Sequence, residues 1–413
     1  MKKRVVITGL GIISPVGNDV ASFWESLKEG KSATALTTSF DASAFDSKIA
    51  AEIKNFDPTQ HGISLKEIKR TAKFAQYAVA AAKQAVASSG LNLDQENRDR
   101  IGVIIGSGIG SLHTIEEEHK ILLNKGPSRL SPFLIPMLIV NEAAGLVAIV
   151  HGLRGPNTCV ATACASGSHA IGDAYRAILY GDADLMVAGG TEACVVPTAV
   201  GGFCALRALT TRNDAPEKAS RPFERDRDGF VMAEGCGLVI LETLEHAQKR
   251  KANIIAEIVG FGMTCDAYHI TAPDPDGAGA AAAMTAALKD AQMNPEQITY
   301  INAHGTSTKL NDKIETLSMK KAFGKYSKKV MVSSTKSVTG HLLGAAGGVE
   351  FVACCLAIKD GVVPPTINYD HPDPDCDLDY VPNIARKTQV SACMSNSLGF
   401  GGHNASLIVK KFK

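Results

Sequence analysis

The sequence predicts an α/β fold built from two related halves, and three observations carry that expectation. Short apolar runs rich in β-branched residues alternate with longer helical patterns along the chain. The runs are apolar throughout rather than alternating, as expected of strands covered on both faces. A strand, a turn of small residues and an apolar helix stopped by glycine occur twice, from TCVAT to Gly181 and from VMVSST to Gly361.

In chain order, Val5 to Gly9, Ile101 to Gly106, Leu185 to Gly189 and Leu238 to Leu241 are expected as buried strands, with helices around 72–89 and 165–180. IIAEIVGFG follows the charged helix end EHAQKRK and opens a second cycle as a fresh first strand, dividing the chain into 1–250 and 251–413. Two stretches are expected as loops that wall a site. Residues 212–230 hold ten charged side chains, and 364–382 hold five Pro and five Asp, which keeps them out of helix interiors and central strands.

Charge is balanced, with 43 Lys plus Arg against 42 Asp plus Glu, so any basic function is a local patch and the surface is not built to hold nucleic acid. Ten cysteines in 413 residues, with no Cys-x-x-Cys pair, are too dilute for a disulfide scaffold or a metal knuckle and point to a reducing compartment. The opening MKKR runs straight into a strand, and the longest apolar stretch, Leu134 to Val150, is interrupted by Asn141 and Glu142. The expectation is a cytosolic protein without a membrane segment.

Cys164 stands where a strand ends and a helix begins, with Ala163, Ala165 and Gly167 leaving room for a tight turn. That context makes it a nucleophile whose thiol pKa the helix end lowers, with main-chain N–H groups aimed at an acyl oxyanion. The other nine cysteines read as small hydrophobes. His304, in NAHGTST, and His341, in KSVTGH, both follow predicted strands, the edge where open α/β sheets carry their sites. A lone histidine is more often structural; two in matching Gly- and hydroxyl-rich settings favour a site. His113, His119, His246 and His371 are expected as solvated. The tail NSLGFGGHN is a glycine-dense hinge around Phe400, and spacing alone does not choose between a gate, a main-chain donor and a hairpin turn. Gly9-x-Gly11-x-x-Ser14 lacks the third glycine of a dinucleotide fingerprint, and Gly106-Ser-Gly108-Ile-Gly110 lacks the spacing of a phosphate loop.

With Cys164, His304, Lys336, His341 and the Gly-Phe-Gly-Gly tail in order, the sequence resembles the elongating β-ketoacyl-acyl-carrier-protein synthases, thiolase-fold condensing enzymes, over essentially its whole length. VATACASG, NAHGTST, KSVTGHLLGAAG and NSLGFGGHN carry the resemblance. It implies a thiolase-like five-layer αβαβα fold and a decarboxylating condensation of an acyl-Cys enzyme with malonyl carrier protein. Polyketide-type ketosynthases, or a thiolase-fold acyltransferase using coenzyme A thioesters, are the alternatives. A thiolase would need a second Cys where Phe400 stands, and initiating or chalcone-type synthases an Asn where His341 stands.

The same resemblance implies residue roles. Cys164 takes the acyl group, His304 and His341 stabilise the malonyl enolate, and Lys336 orders the pair. The N–H groups of Cys164 and Phe400 form the oxyanion hole, with the Phe400 ring as gate. Thr306 and Thr308 contact pantetheine; Ile109, Phe203 and Ala163 border the acyl group; Glu350 and Asp312 stand behind the catalytic side chains. Asn302, Glu350 and Asn396 map to a structural monovalent cation site, with no catalytic metal and no other cofactor. The implied partners are acyl- and malonyl-loaded acyl carrier protein and a second copy of the chain. Docking falls to Lys66, Lys69, Arg70, Arg129 and Arg207; Lys66, Lys69, Arg70 and Lys73 are spaced to share one helix face. Two departures stand out: Ala233 where family members often have Gly, and His403 where many have Thr.

Overall fold

The computed structural model describes residues 3–413. Ten strands form its main sheet: β1 (Val5–Ile13), β2 (Ile101–Gly106), β3 (Asn157–Val160), β4 (Leu185–Glu192), β5 (Gly235–Thr243), β6 (Ala256–Cys265), β7 (Tyr300–Asn302), β8 (Met331–Ser333), β9 (Ala392–Gly399) and β10 (His403–Lys410). The order is β8-β7-β9-β10-β6-β1-β5-β4-β2-β3. Numbered within its own half, each set of five runs 3-2-4-5-1. Polarity repeats too: β3, β2 and β4 pair in parallel, as do β8, β7 and β9, and the last two pairings of each half are antiparallel. The halves meet where Val5–Ile7 pair with Ala256–Ile258.

Five helices complete the layers: α1 (Lys73–Ser89), α2 (Ser166–Tyr180), α3 (Ala278–Ala291), α4 (Lys309–Phe323) and α5 (Ala346–Asp360). Helices α2 and α5 pack against strands of both halves and against each other, so they form the middle layer. Helix α1 covers β1, β4 and β5 from outside, while α3, backed by α4, covers β6 and β10. This is the thiolase-like fold. The sandwiched strands β1, β2, β4 and β5 are buried at every position, which is why their sequences are apolar without alternation. Gly181 and Gly361 end α2 and α5 in the left-handed conformation at φ 87° and 66°.

The fingerprint-like glycines of β1 have a packing role. A Cβ on Gly9 or Gly11 would lie 2.1 Å from Ala85 O or 1.9 Å from Ala81 O, so both are small to let α1 approach.

Two expectations change. Residues 65–73 are not one helix: Ser64 and Glu67 cap a short helix, Leu65–Ile68, and α1 starts afresh at Lys73. Gln76 draws the chain aside by donating to Thr71 O (2.9 Å) and Ile68 O (3.2 Å). Lys66, Lys69, Arg70 and Lys73 all remain exposed but do not share a helix face. Nor is His246 solvated, because it bridges Glu242 (2.6 Å) and Glu96 (2.9 Å).

Candidate active site

All the catalytic candidates lie beyond the C-terminal ends of the parallel strands: Cys164 after β3, His304 after β7, Lys336 and His341 after β8, Phe400 after β9. They converge on a cavity of about 520 Å³ lined by Cys164, His304, His341 and Phe400 together with Ile109, Ala163, Phe203, Thr306, Thr308 and Arg207. Side-chain donor atoms of Cys164, His304 and His341 lie within 4.8 Å of one another. Three non-glycine residues take positive φ in these loops: Ala163 (49°), Ser307 (71°) and Leu343 (51°). Such conformations cost energy and mark turns held by their surroundings.

The elbow is built by Ala163 and Ser166. Ser166 Oγ donates to Ala163 O at 2.6 Å and accepts from Thr162 N at 2.9 Å, turning the chain into α2. The thiol of Cys164 differs from expectation. Burial pushes it up to about 12, although Lys336 and the N–H groups of Phe400 and Cys164 all favour the thiolate. Desolvation of a thiolate at this half-buried position outweighs the helix end. Those same two N–H groups lie near enough to the sulfur to favour its charged form.

The histidines are set alike. His341 Nδ1 accepts from Leu343 N at 3.2 Å, and His304 Nδ1 faces Lys336 Nζ at 3.3 Å. Burial, then Lys336, holds both imidazoles well below the usual histidine range, so both are neutral. A neutral ring whose Nδ1 accepts must carry its proton on Nε2. His341 Nε2 lies 3.2 Å from Cys164 Sγ, a contact in which the imidazole is donor rather than base. Main-chain bonds from His341 N to Val231 O (2.7 Å) and Ala233 N to His341 O (2.9 Å) hold this residue. The Ala233 methyl, the first departure from the family pattern, packs beside Gly340.

Lys336 is fully buried and pairs with Glu350, whose carboxyl burial raises to about 7 against the pull of that lysine. Glu350 Oε2, Ser395 Oγ and Asn396 Nδ2 are buried without hydrogen-bond partners, and Asn302 Nδ2 reaches Glu350 O at 3.4 Å. Asp312, fully buried, accepts from Phe223 N (2.7 Å) and Ser307 N (3.2 Å) and so fixes the segment where Thr306 and Thr308 share a 2.9 Å hydroxyl contact. Phe400 is 36% exposed, its ring 6.3 Å from Phe203, on a turn where Gly401 and Gly402 adopt φ 86° and 74°. His403, the second departure, stands edge-on to His169 at 6.4 Å.

Several contributors carry no sequence signal of their own. Glu315 accepts from His304 N and Gly305 N, both at 2.8 Å, and Glu192 accepts from both halves. Asp266 and Thr271–Pro273 line the cavity from the loop after β6, a Pro- and Asp-rich stretch that could have been read as a wall. Of the two loops expected to wall the site, only 212–230 does so, through Asp228–Phe230. The 364–382 loop instead braces it from behind: Asp373 binds Arg227 at 2.6 Å, and Arg227 donates to Thr308 O and Lys309 O at 3.0 Å.

The exposed docking candidates fall in two places. Arg70 stacks on Phe133 at 4.8 Å, joining the 65–73 segment to the neighbourhood of Arg129, while Arg207 lies at the cavity itself. All ten cysteines are free. Cys265 is exposed rather than a buried hydrophobe. Among the described residues no helix is long and apolar enough to cross a membrane.

A cysteine elbow facing two neutral imidazoles, on a duplicated thiolase-like fold, defines a condensing enzyme of the acyltransferase class. Residues 2–247 match the beta-ketoacyl synthase N-terminal domain and 255–370 the C-terminal domain, so the chain belongs to the β-ketoacyl synthase family. It is 54% identical over 412 residues to the 3-oxoacyl-[acyl-carrier-protein] synthase 2 of Synechocystis sp., covering 100% of this chain and 99% of that relative. The protein of the same name from Coxiella burnetii is 52% identical over 410 residues, 99% of each chain. Two solved structures, each 36% identical and covering 100% of both chains, superpose with TM-score 0.93. One is a type II PKS acyl-carrier protein in complex with its ketosynthase bound to the hexaketide; the other is a beta-ketoacyl synthase from Burkholderia phymatum.

Proposed function

We propose that this chain elongates fatty acyl groups by decarboxylating condensation with malonyl-acyl carrier protein. The Cys164 thiol attacks the acyl thioester carbonyl, and its proton leaves on the departing carrier thiol. Malonyl carrier protein then loses carbon dioxide from its carboxylate, its enolate attacks the acyl-Cys carbonyl, and the Cys164 sulfur leaves as thiolate and takes a proton from solvent. His304 and His341 donate Nε2–H to the malonyl thioester oxygen as enolate charge develops, and the N–H groups of Cys164 and Phe400 hold the oxyanion of the second step.

The observation that supports this most is that both Nδ1 atoms are occupied by donors, which leaves both Nε2–H groups for the substrate. A hydrolase would need a histidine poised to accept a proton. Thr306 and Thr308 bind pantetheine; Ile109, Phe203 and Ala163 border the acyl chain. Asn302, Glu350 and Asn396 hold a monovalent cation, a reading supported by the orphaned buried oxygen Glu350 Oε2.

The substrates arrive on acyl carrier protein, docked through Lys66, Lys69, Arg70, Arg129 and Arg207. The working unit is a homodimer in the cytoplasm. For a second copy, the support is that β8 is covered by Asp379 while the other edge strand, β3, begins with exposed Asn157 and Thr158. The same half exposes Leu123, Ile135 and Ile149 at 72%, 61% and 78%.

The test is carbon dioxide release from malonyl carrier protein by the purified protein. Release with formation of 3-oxoacyl carrier protein only when an acyl donor is present is expected; acyl exchange or hydrolysis without carbon dioxide would overturn the reading.

A further inference from the structure

Glu192, the last residue of β4, is wholly buried beside the cavity, and among the described residues no cation pairs with it. Its carboxylate is filled with donors from two chain segments. Oε1 accepts from Ser107 Oγ (2.9 Å) and Ile109 N (3.4 Å), and Oε2 accepts from Gly108 N (2.7 Å) and Gly344 N (3.0 Å). The first segment carries Ile109 at the cavity wall; the second is the loop after β8 that carries His341. A Cβ on Gly344 would lie 2.5 Å from Glu192 Oε2, so the carboxylate occupies space that only glycine leaves.

The link continues to the catalytic ring. Leu343, next to Gly344, donates its N–H to His341 Nδ1 and lines the cavity. The loop that Glu192 grips is therefore the one that fixes the tautomer and aim of His341. Gly108 and Ile109, which an acyl chain displacing Ile109 would move, share this carboxylate with Gly344 through their N–H groups.

We propose that Glu192 is a positioning residue that couples the acyl-pocket wall at Ile109 to His341, so that chain-length selection and malonyl decarboxylation depend on one buried carboxylate. The inference rests on the condensing activity proposed above. A carboxylate suits the task because it only accepts; an amide of the same shape puts an NH₂ against N–H donors. Losing one hydrogen bond to a charged group is worth about tenfold in an equilibrium.

The test compares wild type with Glu192→Gln in the full-length protein, using hexanoyl and hexadecanoyl carrier protein as donors. Two readouts are taken: the ratio of kcat/KM for long over short donor, and the single-turnover rate of carbon dioxide release from malonyl carrier protein once hexanoyl-Cys164 has formed. Glu192→Gln is expected to raise the ratio and slow the release, each by about tenfold. If Glu192→Gln does not fold, Ser107→Ala, which removes one of the four donors, is measured in its place and shifts both quantities in the same directions by a smaller factor. A variant that folds and slows both donors equally, or moves one quantity without the other, overturns the coupling. Wild type failing to release carbon dioxide would overturn the proposed function instead.

Discussion

His341 Nε2 lies 3.2 Å from Cys164 Sγ, while His341 Nδ1 accepts a main-chain N–H from Leu343 at the same distance. The second contact decides the meaning of the first. With Nδ1 committed as acceptor, Nε2 points a proton at the sulfur, the arrangement of a donor to developing negative oxygen, as proposed above, rather than of a base for the thiol.

Replacing His304 or His341 by Ala therefore divides the reaction. Acyl transfer to Cys164 should survive in both variants, while malonyl decarboxylation falls by about 10²–10³ for each lost donor. Rapid-quench measurement of acyl-enzyme and of labelled carbon dioxide separates the two, and equal loss of both half-reactions would show that the imidazoles act in acylation as well.

Ile109 lines the cavity a short way from Cys164, and its truncation frees volume without touching the nucleophile. Ile109→Ala should favour long acyl donors over short ones. A graded series of acyl carrier proteins reads this directly, and a profile matching wild type would remove Ile109 from the pocket wall.

The broken 65–73 segment still presents its cations outward, so the docking proposed above rests on the exposed charges and not on a shared helix face. Lys66→Glu with Lys69→Glu should raise KM for acyl carrier protein and flatten its salt dependence. Turnover of a small pantetheine thioester stays near wild type, because surface charge acts on encounter and is screened over about 8 Å. Equal impairment on both substrates would assign these lysines to folding.

His246 gives a pH prediction. Its bonds to Glu242 and Glu96 raise its pKa above the ordinary 6.5 in the fold. A raised folded value contributes stability that is complete below the unfolded pKa and is lost as pH rises through the folded one. His246→Ala should therefore cost about 1–2 kcal/mol near pH 6 and less near pH 9. Thermal melts at both values check the sign; a penalty that grows with pH would contradict it. Glu242, held down at about 2, keeps its own contribution until far more acid conditions.

The sequence made the covered strands legible because burial on both faces leaves unbroken apolar runs, and the duplicated strand–turn–helix because glycine marks both helix ends. Cys164, His304 and His341 were visible since each stands in small residues after a strand. Burial at a distance was not. The rise of the Cys164 thiol comes from the surroundings that desolvate it, and Glu192 and Glu315 reveal themselves only through donors from other segments. The break after Ile68 escaped for a similar reason: the i, i+3, i+4, i+7 spacing is intact, but Gln76 bonds the carbonyls that a continued helix would use.

In the proposed function Cys164 carries the acyl group. Brief incubation with acyl carrier protein donors, followed by peptide mass mapping, tests it most directly. One acyl adduct per chain is expected, on the peptide containing Cys164 and absent from Cys164→Ala. An adduct on Cys159, Cys194 or the exposed Cys265, persisting in Cys164→Ala, would contradict it.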